Sequence, residues 1–137
     1  MFYPSLFYPT TLRNDTQYYS FTMLNEARGG FFFDFSVFGI QAEKILINII
    51  MSSKHLDVEY LDKVVHDMDS VDTSVCLLVC YEVANDILHK NLKRIAKDKN
   101  KYIFILNSNV INNILDEYLK IGEQHFDVLR SKFKELN

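Results

Sequence analysis

Apolar residues recur along this chain in two rhythms. Phe31 to Phe38 (FFFDFSVF) alternates, with Phe31, Phe33, Phe35 and Val37 on one side and Phe32, Asp34, Ser36 and Phe38 on the other. A period of two is the mark of a half-buried strand. Gln17 to Leu24 (QYYSFTML) is rich in the aromatic residues that favour strands. Between them, Asn25 to Gly30 (NEARGG) is a turn signal ending in two glycines, which tolerate positive φ. The pattern predicts an antiparallel hairpin over residues 17–38.

From Gln41 the spacing becomes helical, with Ala42, Ile45, Leu46, Ile49 and Ile50 at intervals of three and four. A second helix is expected after Asp57, a good N-cap, with Val58, Leu61, Val64, Val65 and Met68 on one side. Asp72 or Thr73 would cap a third, running from Val75 to about Ala96. Its first half (VCLLVC) is apolar nearly all round, which predicts the central helix of the fold. Tyr102 to Leu106 (YIFIL) follows a polar turn and reads as a strand buried on both faces. Asn107, Ser108 or Asn109 then caps a last helical region from Val110 to Leu136. Gly122 in its middle marks a kink or a close helix contact. The expected fold is α+β: a small antiparallel sheet, made of the N-terminal hairpin plus a later strand, covered by about four helices.

A length of 137 residues with 48% apolar content fits a single globular domain over 1–137. Residues 1–14 form an aromatic and proline-rich N-terminal arm, with Phe2-Tyr3-Pro4 echoed by Phe7-Tyr8-Pro9. With 24% charged residues and a net charge of -3, the chain lies far from the disordered regime. Two cysteines cannot supply a disulfide framework. No base precedes Arg13, Pro4 and Pro9 interrupt the early apolar residues, and Asn48 breaks the run from Ile45 to Met51. No secretory leader or membrane span is therefore expected. The reading is a soluble cytoplasmic protein with reduced thiols.

Candidate chemistry is sparse. Cys76 and Cys80 lie on the most apolar stretch of the chain, where burial raises a thiol pKa and quenches it as a nucleophile. The four histidines, His55, His66, His89 and His125, form no metal-ligand spacing. His66-Asp67-Met68-Asp69 with Asp72 lacks the central Gly and terminal Glu of a calcium loop. Gly29-Gly30 leads into a strand, so it is no phosphate loop. There is no G-x-S-x-G turn. The sequence assigns no catalytic residue, no metal and no cofactor.

Charge is the informative feature. Between residues 57 and 72, Asp57, Glu59, Asp62, Asp67, Asp69 and Asp72 face only Lys63. Between residues 90 and 101, Lys90, Lys93, Arg94, Lys97, Lys99 and Lys101 face only Asp98. Some of this complements helix ends, but sorted charge also steers encounters with partners of opposite sign. The leading expectation is a non-enzymatic protein-binding module, an inhibitor or immunity-type protein that neutralises a basic toxin or nuclease by occlusion. Its contact residues would be Asp57, Glu59, Tyr60, Asp62, Asp67 and Asp69. A second reading is a viral or phage accessory protein that holds a host helix in a groove, against which the predicted hairpin counts. A third is weak nucleic-acid binding through Lys90, Lys93, Arg94 and Lys97. A sequence pI near 5.8 and the lack of aromatic residues among those cations count against it. Phe32 and Phe38 on the polar side of the hairpin leave room for a homodimer.

Overall fold

A computed structural model of the chain describes residues 7–14, 18–25, 40, 42–50, 57–81, 86–121 and 127–136. The elements are β1 (Phe7–Asn14), β2 (Tyr18–Leu24), β3 (Lys44–Ile50), α1 (Val58–Ser70), β4 (Val75–Val79), α2 (Asp86–Lys99), β5 (Tyr102–Leu106), α3 (Ser108–Ile121) and α4 (Asp127–Leu136). The α+β class holds, and the five strands lie in one sheet in the order β1-β2-β3-β4-β5. The sheet is mixed. β1, β2 and β3 pair antiparallel, whereas β3, β4 and β5 pair parallel.

Two segments read as helical from the sequence are strands. Residues 44–50 (KILINII) form β3, and residues 75–79 (VCLLV) form β4, so the long helix expected from Val75 begins only at Asp86. The physical reason is double coverage. Parallel strands joined by helical crossovers are buried on both faces and read as unbroken apolar runs. Val75 to Leu78 are all buried, as are Ile45 to Asn48. A short, mostly apolar run of five to seven residues suits a strand better than a helix. The expected hairpin partner, residues 31–38, lies outside the described residues, as does Gly122. β2 instead pairs with β1 and β3. Part of the N-terminal arm is thus an edge strand of the sheet, broken by irregularities between Phe7 and Thr10 and between Thr11 and Arg13.

The register aligns side chains into rows across the sheet. Ser20, Asn48, Leu78 and Ile105 form one row, and Thr22, Leu46, Cys76 and Ile103 form the next on the same face. The other face carries Phe21, Ile47, Leu77 and Phe104. α1 and α2 are consecutive crossovers between adjacent parallel strands, and the right-handed rule places both on one face. That face is the one bearing Cys76, since Tyr60 and Asp67 of α1 lie within electrostatic range of its thiol. α4 reaches both faces of β5. Phe133 packs on Tyr102 at 5.2 Å between ring centroids, while Lys132 and Leu136 share a cleft with Ile103 and Ile105. It therefore covers the outer edge of β5, which would otherwise be open to pairing.

The amino ends of the parallel strands are tied together around Thr73 and Lys101. Thr73 Oγ1 donates to the Lys44 carbonyl of β3. Tyr102 N–H donates to the Ser74 carbonyl at 2.8 Å, and Lys101 Nζ donates to the Thr73 carbonyl at 2.8 Å. α1 stops just before this knot. Thr73 N–H bonds back to the Met68 carbonyl at 3.0 Å and Asp72 N–H to the Asp69 carbonyl at 3.2 Å. With Asp72 at φ 60, this is a Schellman stop. Asp72 is thus the left-handed residue that ends α1, not the cap of a following helix. Asn100, at φ 53, does the same after α2.

Candidate functional site

The charged segments resolve into the outer faces of α1 and α2. Asp57 caps α1 as the sequence predicts, its carboxylate accepting the Tyr60 N–H at 2.8 Å. The apolar stripe Leu61, Val64, Val65 and Met68 is buried against the sheet. That leaves Glu59, Asp62, Lys63, His66 and Asp69 exposed. Glu59 sits in the first turn, where an acid favours the helix dipole.

Two of the six expected contact residues turn inward. Asp67 is fully buried. Its position explains this: it stands three residues after Val64 and beside Met68, on the core stripe of the helix. Tyr60 is half-buried and packs against the core, and its buried hydroxyl points toward the sheet face that carries the cysteines. Burial holds the Tyr60 phenol well above its ordinary range, with smaller contributions from Cys76, Asp67 and Cys80. Asp69 is exposed but paired, its carboxylate 3.0 Å from Lys101 Nζ. The open acidic surface of α1 therefore reduces to Glu59 and Asp62, beside the capping Asp57.

α2 is simpler. Leu88, Leu92, Ile95 and Ala96 face the core. Lys90, Lys93, Arg94 and Lys97 are all exposed, and their spacing of three, one and three residues places them on one helical face. They line a broad, open depression together with Asp98. None of the four makes an ion pair among the described residues. Lys101, the last cation of the segment, behaves differently. Its side chain is only 14% exposed and is held by Thr73 and Asp69, so it belongs to the fold.

The interior offers little reactive chemistry. Cys76 is fully buried, and its thiol is pushed far up by burial and by the neighbouring Asp67 charge; the thiolate needed for attack is not populated near neutrality. His89 lines a cleft of about 30 Å³ between α2, β5 and α4, far below the roughly 300–1,000 Å³ of small-molecule sites. Among the described residues, no three His, Cys, Asp or Glu side chains converge on a metal position, and no helix is long and apolar enough to cross a membrane.

The sequence reading missed two features of this end of the molecule. Tyr81 and Ile87 are 77% and 74% exposed beyond the carboxyl end of β4 and at the start of α2. Reading residues 75–96 as one helix hid the end of β4 and the start of α2, beside which these two residues stand. The shortness of the VCLLV run was the available signal. No protein-family profile, no curated protein and no solved structure matches this chain.

Proposed function

We propose that this protein acts by binding a macromolecular partner rather than by catalysis, and that the charged outer faces of α1 and α2 are its contact surfaces. The observation that carries this reading is the sorting of charge. α1 presents Glu59 and Asp62 outward, α2 presents four cations in one row, and none of those cations pairs with an acid of α1 among the described residues. The Asp69–Lys101 pair joins the two segments at their carboxyl ends. Charges arranged in this way accelerate encounter with an oppositely charged surface.

On the acidic side, the reading is an inhibitor or immunity-type protein that occludes a basic enzyme or toxin. Asp57, Glu59 and Asp62 would form the rim of that contact, and the exposed Val58 and the accessible part of Tyr60 would supply its apolar centre. The test is affinity capture from the source cell with the wild-type chain and with Glu59→Lys/Asp62→Lys. A basic protein retained by the wild type and released by the double variant is the expected result. Equal retention by both, or an acidic partner insensitive to the change, would count against the acidic face.

A further inference from the structure

We propose that the row Lys90, Lys93, Arg94 and Lys97 on the exposed face of α2 is a sequence-independent binding site for the phosphate backbone of a nucleic acid. The inference rests on the reading that the charged helix faces are contact surfaces, and it gives the basic face a partner class of its own. Lys90 and Lys97 are separated along the helix axis by about 10 Å, from a rise of 1.5 Å per residue. One strand of a duplex places a phosphate about every 3.4 Å of axis, so the row spans roughly three phosphates of a strand. Three of the four cations are lysines, whose flexible stems deliver point charges to phosphate oxygens without demanding the fork geometry of a carboxylate.

The rest of the helix narrows the choice of partner. A membrane-surface helix needs an apolar face to insert, and the apolar face of α2 (Leu88, Leu92, Ile95, Ala96) is already buried in the core. No aromatic side chain lies within the row, so stacking on bases is absent and sequence preference is not expected. Asp98 borders the same depression, and the whole chain carries -3. Both reduce the field of the row, so binding is confined to low ionic strength.

The experiment is fluorescence anisotropy of the full chain against a fluorescein-labelled 20-base-pair DNA duplex at 50 and 200 mM KCl. Three to four phosphate contacts predict a loss of about 40- to 150-fold in affinity over that fourfold change in salt. Lys90→Gln/Lys93→Gln and Arg94→Gln/Lys97→Gln should each lower affinity at least tenfold at 50 mM and flatten the slope of log K against log salt by about 1.8. Both substitute exposed residues with good helix formers, so the fold should be kept, and far-ultraviolet circular dichroism verifies it. Asn113→Gln, on the exposed side of α3 and outside both charged faces, should bind the duplex as the wild type does. The inference is overturned by no saturable binding at 50 mM, by binding indifferent to salt, or by binding indifferent to the row variants. It is also overturned if polyglutamate competes as well as unlabelled DNA at equal charge, or if vesicles with 30% phosphatidylserine capture the chain as strongly as the duplex does. Any of these results leaves the acidic face of α1 untouched, because that reading is decided by the capture experiment with Glu59→Lys/Asp62→Lys.

Discussion

Lys101→Met tests whether the acidic and basic segments are independent surfaces or one neutralised unit. Methionine keeps most of the stem that packs in the structure and removes the charge. Lys101 Nζ makes two contacts: the Thr73 carbonyl at 2.8 Å and the Asp69 carboxylate at 3.0 Å. The first is a charge-assisted hydrogen bond from a side chain that is 14% exposed, and losing such a bond costs about 1.5–3 kcal/mol. The second ends on a carboxylate that is 63% exposed, so solvent screens it and it contributes about 0–1 kcal/mol. The expected losses are therefore about 1.5–4 kcal/mol for Lys101→Met and under 1 kcal/mol for Asp69→Asn, read by urea unfolding. The double variant should show a coupling energy below about 1 kcal/mol, and 1 M salt should abolish the Asp69 share while sparing the Thr73 share. A coupling above 2 kcal/mol, or an Asp69→Asn loss equal to that of Lys101→Met, would mean that the segments neutralise each other, and the binding reading built on their separation would fall.

Three other outcomes follow from the fold. Ser20 is fully buried on β2, and its hydroxyl has no hydrogen-bond partner among the described residues; Ser20→Ala should stabilise the protein by up to about 1 kcal/mol, and a loss of more than 1 kcal/mol in urea unfolding would show that the hydroxyl is bonded. The Cys76 thiol is raised above its ordinary 9.0 by burial and by Asp67, so the folded state holds a proton that the unfolded chain releases. Stability should be insensitive to this group below pH 9 and fall above it by up to about 1.4 kcal/mol per pH unit; Cys76→Ala should flatten that fall, and an identical alkaline profile in the variant would refute the assignment. Asp72 adopts φ 60 at the stop of α1, where a non-glycine residue is strained and an acid opposes the helix dipole. Asp72→Gly should raise the stability read by urea unfolding by about 0.5–1 kcal/mol, and a loss would show that the side chain has a bonding role there.

What the sequence determined by itself was local. Asp57 was legible as a cap and accepts the Tyr60 N–H, while of the three cap candidates Asn107, Ser108 and Asn109 the structure selects Asn107, which accepts the Val110 N–H. Tyr102 to Leu106 was legible as a doubly buried strand because turn residues bound it on both sides, and all five residues are buried. The partition of charge was legible because it needs only counting. For KILINII and VCLLV the choice between helix and strand fell to the tertiary structure, with run length as the one local signal. A segment covered on both faces has no polar side, and without a polar side periodicity carries no information. Pairing was likewise a global choice: β2 finds its partners at β1 and β3, and nothing local in Gln17 to Leu24 names them. The tertiary structure also decided which charges are surface. Asp67 and Lys101 belong by composition to the two charged runs, yet one lies on the core stripe of α1 and the other is drawn into the knot at Thr73. A count of charges along the chain cannot distinguish those two from Glu59 or Lys93: the spacing of Asp67 from Val64 sets it on the apolar stripe of its helix, whereas Lys101 lies outside any periodic element and its burial is set by what packs around it.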